Sequence, residues 1–242
     1  MKVSIIIPTY QRPRMLQEAL RSVAAVRAPP GGYEVIVVND GGRGVNRKLV
    51  RRWWPGRQET LSYASIEHAG FSAAMNRGLK MARGEYWTFC ADDDTVLPNK
   101  LEVLCPCLDA HQDAVAAYSL PRYFDERGST IAAPKSLRSF LLSHPVVTWK
   151  HIERGDGLMV HGSSMLYRLP ECRDVGGFDT NLPTGEEWEF HLRLLKLGYS
   201  FRAVDAVTTG YRVHDGCKSL THRRDRSAMR QYINHKLASL DP

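Results

Sequence analysis

Three short apolar runs, each ending in a polar cluster, constrain this chain more than any other feature. Val3 to Pro8 (VSIIIP), Tyr33 to Val38 (YEVIVV) and Glu85 to Cys90 (EYWTFC) are strand-length and rich in β-branched or aromatic residues. Val3 to Pro8 and Tyr33 to Val38 are apolar at successive positions, as in parallel strands covered on both faces. Between the runs, Arg14 to Val26 carries Met15, Leu16, Ala19, Leu20 and Val23 at helical spacing. Pro29, Pro30, Gly31 and Gly32 then punctuate the chain. Helices are expected over Asn46 to Trp54, Ser72 to Ala82 and Asn99 to His111, and strands over Leu61 to Ile66 and Ala114 to Ser119. The alternation predicts an α/β chain built on one doubly wound, mostly parallel sheet flanked by helices.

Ligands of such sheets sit beyond the carboxyl ends of the strands. Those ends carry Thr9-Tyr10, Asn39-Asp40 and Asp92-Asp93-Asp94. The second half is less regular. Arg122 to Thr148 reads as a loop-rich excursion with a helix near Leu137 to Ser143. Leu158 to Tyr167 reads as a strand containing Gly162-Ser163-Ser164, and Glu186 to Leu197 as an amphipathic helix. Ser200 to Val207 and Thr209 to Val213 read as two short strands, and the basic tail from Ser219 as helical after Arg224. The 242 residues suffice for one sizeable domain. The expected division is residues 1–218 as that domain, 1–120 binding a nucleotide and 121–218 serving the acceptor, with 219–242 as a tail.

Three carboxylates in a row after a core strand repel one another unless solvent or a cation compensates. A divalent metal with oxygen ligands does so and leaves positions for phosphate; an acidic turn capping a helix is the structural alternative. Gly185-Glu186-Glu187-Trp188-Glu189 sets carboxylates at a helix start, where the dipole stabilises them. They suit either simple capping or a general base. His214 in Tyr211-Arg212-Val213-His214 offers a nitrogen ligand after a short strand.

These elements, in this order, resemble the family 2 glycosyltransferases, which have the GT-A fold. The resemblance runs from Val3 to about Ser219 through VSIIIPTYQRP, EVIVVNDGG, GFSAAMNRGLKMARGEYWTFCADDDTVLP, GGFDTNLPTGEEWEFHLRLLKLGY and YRVH. It implies an inverting transferase that takes a sugar from a nucleotide-sugar donor, UDP-sugar first. Pro8, Thr9, Tyr10, Arg12 and Asp40 would line the nucleoside pocket, with Asn76 in the bordering helix. Asp93, with Asp92 beside it, would meet the ribose and the metal. Mn²⁺ or Mg²⁺ would be held by Asp93, Asp94 and His214, and Glu187 would be the catalytic base. The departures are Asn39 for a common Asp, Met75 for a common Arg, Ala91 at the first position of the usual Asp-x-Asp, and Glu187 for Asp. They leave open which pair among Asp92, Asp93 and Asp94 ligates, and whether Glu186 shares the base role.

Rival classes fit less well. A dinucleotide-dependent dehydrogenase needs a glycine-rich turn where Pro8-Thr9-Tyr10 stands. A nucleotidyltransferase needs a glycine-rich basic loop where Gln11-Arg12-Pro13-Arg14 stands, and a non-catalytic sugar-nucleotide binding module has no use for GEEWEF.

The net charge of +7 points to an anionic partner. Surface glycan assembly on a lipid carrier is the expected setting, with the basic surface against an anionic membrane. The alternative acceptor is a hydroxylated base in DNA or another polyanion. For it, Lys48, Arg51, Arg52, Trp53, Trp54 and Arg57, and the tail from His222 to Lys236 with Arg223, Arg224 and Arg226, interleave charge with aromatics. Either stretch also suits a solvated helix face. Cys90, Cys105, Cys107, Cys172 and Cys217 are odd in number and irregularly spaced, which predicts reduced thiols and a cytoplasmic setting. The apolar runs are too short to span a membrane, and the start Met1-Lys2 lacks a signal-peptide pattern.

Overall fold

The computed structural model describes residues 1–158, 160–216 and 226–240. Among them, ten strands form one sheet. β1 (Val3–Thr9) is buried throughout and pairs in parallel with β2 (Tyr33–Asp40), which pairs in parallel with β3 (Leu61–Ile66). On its other side β1 pairs in parallel with β4 (Tyr86–Phe89). Alternation along β1 explains its apolar run. Val3, Ile5 and Ile7 pack with Leu16, Ala19, Leu20 and Val23 of α1 (Pro13–Ala24) on one face. Ile6 packs with Ala74, Met75 and Leu79 of α3 (Phe71–Met81) on the other. Helices on both faces of a parallel block make the sheet doubly wound, as expected.

α2 (Arg47–Trp53) flanks the β3 edge. Trp54 after it is 3% exposed and Trp53 is half-buried against the same core, while Lys48, Arg51, Arg52 and Arg57 face outward. Of the two aromatics expected to interleave with charge at this surface, Trp54 is thus buried and Trp53 only partly so. The apolar rings went to the core and the cations to solvent.

The second half adds β5 (Thr95–Val96), α4 (Lys100–Ala110) and β6 (Ala114–Phe124). β7 (Thr130–Ile131), α5 (Lys135–Ser143), β8 (Val146–Val147) and α6 (Trp149–Glu153) follow. Then come β9 (Met165–Arg168), α7 (Leu169–Asp174), α8 (Glu186–Lys196), β10 (Ser200–Arg212) and α9 (Arg226–Ala238). The strand order is β3-β2-β1-β4-β9-β6-β10-β5. β9 is the antiparallel seam between β4 and β6, and β6 and β10 run parallel.

Two expectations for this half are corrected. The strand over Leu158 to Tyr167 reduces to β9, preceded by a tight 3-10 turn, Gly162–Ser164. Side chains take the place of ladder partners there: Lys100 and Thr209 donate to the Ser163 carbonyl, and Ser119 donates to that of Ser164. The two strands expected from Ser200 to Val213 are one strand, β10. Register shifts between Ala203 and Thr209 absorb its polar middle as irregularities in the ladder.

Cys90, Cys105, Cys107 and Cys172 are free thiols. Cys217, Arg223, Arg224 and the side chain of Arg226 lie outside the described residues. No described helix is long and apolar enough to cross a membrane.

Candidate active site

A cavity of about 770 Å³ opens where β1, β2 and β4 end and the Asp92-Asp93-Asp94 turn begins. Every site residue expected from the sequence lines it, except Asn76 and His214. His214 stands behind the wall, in contact with Asp93.

The first wall is built on Asp92. Its Oδ2 accepts the Thr9 hydroxyl (2.8 Å) and the Tyr10 amide (3.3 Å), and its Oδ1 accepts Arg12 Nη1 (3.2 Å). The ends of β1 and β4 are thus tied through one carboxylate. Burial, then the neighbouring Asp93 charge, push the Asp92 carboxyl up to about 6, against the pull of Arg12 and Thr9. Arg12 Nη1 also donates to Asp93 Oδ2 at 2.5 Å, and His214 Nε2 reaches that same oxygen at 3.0 Å. Burial alone would weaken the Arg12 cation; the Asp93 and Asp92 carboxylates outweigh it and raise its pKa.

Asp94, also expected as a metal ligand, lines the cavity beside Asp93. It is 3% exposed, and its Oδ1 accepts the Arg212 amide at 3.0 Å, holding β10 against the turn. Burial and the Asp93 charge push its pKa well up. Behind it lies Lys100, fully buried, donating to the Ser163 carbonyl, with a pKa lowered by burial to about 8. Among the described residues no group of three or more His, Cys, Asp or Glu side chains forms a ready metal cage. The fit to a divalent cation is thus a pair, the Asp93 carboxylate and the His214 imidazole. That suits an ion bound largely through substrate phosphates and water.

Asp40 forms another corner of the cavity. Its Oδ1 accepts the Ala69 amide (2.8 Å), and its Oδ2 accepts the Gly70 amide (2.9 Å) and meets His68 Nδ1 at 2.8 Å. His68 stacks on Tyr10 with ring centroids 4.1 Å apart, so an aromatic ledge borders the carboxylate. A carboxylate has about four lone-pair positions, so a further donor is still accommodated. Asn76, expected to border this pocket, is engaged elsewhere. Its side-chain amide exchanges two 2.8 Å hydrogen bonds with the Phe178 backbone, clamping α3 to the segment before α8.

The opposite wall is the start of α8. Glu186 is 6% exposed, and Glu187 is half-buried with its carboxylate against Gly162. An added Cβ at Gly162 would lie 2.5 Å from Glu187 Oε2, so the missing side chain makes the seat for that carboxylate. Below, Glu189 is fully buried and pairs with Arg193 (2.7 Å) and Lys236 of α9 (2.9 Å), fixing the helix.

His68, Lys100, Gly162 and Arg212 were not singled out as site residues in the sequence, and Arg230 was covered only as part of the basic tail from His222 to Lys236. His68 follows the end of β3, so the strand-end rule that found Asp40 could have found it. Lys100 and Gly162 carried no such signal, because each matters through a contact with a residue distant in sequence.

A family model described as glycosyl transferase family 2 matches residues 4–169, more than half of the chain. The chain belongs to glycosyl transferase family 2. Among curated relatives, an uncharacterized glycosyltransferase of Rickettsia felis is 25% identical over 228 residues, covering 92% of this chain and 36% of the relative. This family 2 chain thus spans little more than a third of that protein's length. Among solved structures, S. aureus TarS in complex with UDP-GlcNAc matches with a TM-score of 0.79 at 20% identity, covering 100% of this chain and 68% of TarS. The mannosyltransferase PcManGT of Pyrobaculum calidifontis, in complex with GDP-Man and Mn²⁺, matches with a TM-score of 0.75 at 20% identity, covering 100% and 66%. The shared architecture is the GT-A fold expected from the sequence.

Proposed function

We propose that this family 2 chain is an inverting, metal-dependent glycosyltransferase. It moves a sugar from a nucleotide-diphosphate sugar, UDP-sugar first, to a hydroxyl acceptor in surface glycan assembly. The observation that carries the reading is one cavity with Arg12, Asp92 and Asp93 on one wall, His214 behind Asp93, and Glu187 on the other wall. In this reading residues 1–120 supply most of the donor wall and 121–218 the acceptor wall. The fold neighbours are bound to UDP-GlcNAc in one case and to GDP-Man with Mn²⁺ in the other, which supports a nucleotide-sugar donor and a divalent ion.

The Tyr10–His68 ledge and Asp40 receive the nucleoside. Asp93 and His214 would hold Mn²⁺ or Mg²⁺. When bound, that ion supplies positive charge to a leaving diphosphate, as a Lewis acid. Arg12 keeps the Asp92 and Asp93 carboxylates in place. The acceptor hydroxyl oxygen attacks the anomeric carbon, and the bond from that carbon to the diphosphate oxygen breaks. Glu187 takes the hydroxyl proton, so a glycoside and a nucleoside diphosphate result. A single displacement inverts the anomeric centre.

The test is a panel of UDP-, GDP- and dTDP-sugars, assayed for release of the nucleoside diphosphate with and without chelator. Release restricted to one nucleotide, lost in chelator and restored by Mn²⁺ or Mg²⁺, is expected. Release that persists in excess chelator removes the metal from the reading. No release from any donor removes the reading itself.

A further inference from the structure

The cavity continues past Glu187 to a wall formed by Leu158, Val160, Trp188, Met229 and Arg230. Most of this wall is apolar, with one cation at its rim. Arg230 is exposed, and its guanidinium lies 5.9 Å from the centre of the Trp188 ring. The other arginines lining the cavity are engaged with carboxylates: Arg12 with Asp92 and Asp93, and Arg212 with Glu18. No carboxylate among the described residues pairs with Arg230.

We propose that Arg230, steadied on Trp188, reads an anionic group on the acceptor, a phosphate or carboxylate carried near the hydroxyl that is glycosylated. This rests on reading the α8 wall as the acceptor side. A guanidinium lying against an aromatic face keeps its in-plane N–H donors available, and that planar fork matches a phosphate or carboxylate. Its position is fixed from below. Lys236 pairs with Asp179 (2.6 Å) and Glu189 (2.9 Å), and Tyr232 donates to Asp179 (2.8 Å). Ile233 and Leu237 are buried with Leu182 and Leu192, at 0% and 5% exposure. Met229 lies against Gly185, where the added Cβ of any other residue would overlap its sulfur. α9 is therefore seated on α8, and Arg230 is held on a packed helix, which positions a binding group better than a loop does.

The location separates this cation from the donor side. Trp188 follows Glu187 directly, whereas Arg12 already stands beside Asp92 and Asp93. Electrostatics gives the arginine work to do there. A cation at this wall favours an anionic acceptor over a neutral one through charge-assisted hydrogen bonds. Arg230 therefore acts on selectivity between acceptors, whereas Glu187 acts on all of them.

The experiment titrates D-glucose 6-phosphate, D-glucuronate and D-glucose into the full chain saturated with UDP and Mn²⁺, followed by calorimetry and tryptophan fluorescence. At least one anion should bind tenfold or more tighter than glucose. A phosphate group is identified by preference for glucose 6-phosphate, a carboxylate by preference for glucuronate. Arg230→Ala and Arg230→Gln should remove that advantage by about tenfold or more, Arg230→Lys should keep part of it, and UDP affinity should not move. The exposed position makes misfolding of these variants testable by an unchanged Tm. Anions binding no better than glucose, or equally well to Arg230→Ala, overturn the proposal. So does a matching loss of UDP affinity, which would assign Arg230 to the donor. If UDP and other nucleoside diphosphates fail to bind at all, the donor reading fails. The sugar-anion titration on the unliganded protein then still decides the role of Arg230.

Discussion

Gly162→Ala should slow the reaction by displacing the Glu187 carboxylate without removing it. The glycine is not in a left-handed conformation, so an alanine meets no backbone penalty. Its Cβ would, however, stand 2.5 Å from Glu187 Oε2 and 2.9 Å from Cδ, with Phe89 Cε1 at 3.2 Å closing the other side. Ordinary contact begins at 3.4 Å, so the carboxylate must retreat by about 0.9 Å. A displacement of about 1 Å at a reacting group costs on the order of 10²-fold in rate, or about 2.7 kcal/mol of barrier. The carboxylate is the end of a flexible side chain facing a cavity, so the cost to stability should be about 1 kcal/mol, a Tm change of about 2–4 °C. The assay is steady-state transfer, with nucleotide binding measured separately. kcat should fall about 10²-fold while nucleoside diphosphate affinity stays within about twofold. A second arm tests the cause. Glu187→Asp withdraws the carboxylate by about 1.5 Å, so in that background Gly162→Ala should cost little more, a departure from additivity that marks a shared contact. Unchanged turnover in Gly162→Ala, or full additivity with Glu187→Asp, would refute the seat.

Three further outcomes are expected. Glu187→Gln keeps the side-chain shape but cannot take the proton, so turnover should fall about 10²-fold or more with nucleotide affinity intact; the same loss in Glu186→Gln alone would move the base by one residue. Burial holds His191 and His161 neutral, with pKa values lowered to about 3 and about 4. The unfolded chain takes up these protons first, so their contribution to stability is present above about 6.5 and is lost as pH falls toward 4; urea unfolding that shows no loss between pH 7 and pH 4.5 in the wild type relative to a His161→Gln, His191→Gln variant contradicts this. Glu189→Ala leaves Arg193 and Lys236 without their shared carboxylate, so stability should fall by about 3–5 kcal/mol and Tm by on the order of 10 °C; a thermal melt within about 2 °C of the wild type would show that the buried pair contributes little.

Most of the cavity wall around Asp92 and Asp40 was legible in the sequence. Apolar runs over Val3 to Pro8 and Tyr33 to Val38 could only be doubly covered strands, and their ends had to carry the ligand residues. Thr9, Tyr10, Arg12, Asp40, Asp92 and Asp93 accordingly line one cavity. The second half was harder to read. Gly162-Ser163-Ser164 resembled strand because propensity does not show that Lys100 and Thr209, from elsewhere in the chain, would take the turn's carbonyl. Asn76 lies on the expected helix but outside the cavity lining, hydrogen-bonded to the Phe178 backbone about a hundred residues away.

The same division separates Asp92, Asp93 and Asp94. As a sequence they are three equal carboxylates. Thr9 and Arg12 hold the first, Arg12 and His214 meet at the second, and the Arg212 amide takes the third. Local sequence determined the strands, the helices and the place where carboxylates would gather, because burial and backbone geometry act over a few residues. Which carboxylate meets His214, where Glu187 is seated and that Arg230 reaches the rim were decided only by tertiary structure. Each depends on atoms brought together by β10, the turn before β9 and α9, and those contacts have no counterpart in local sequence.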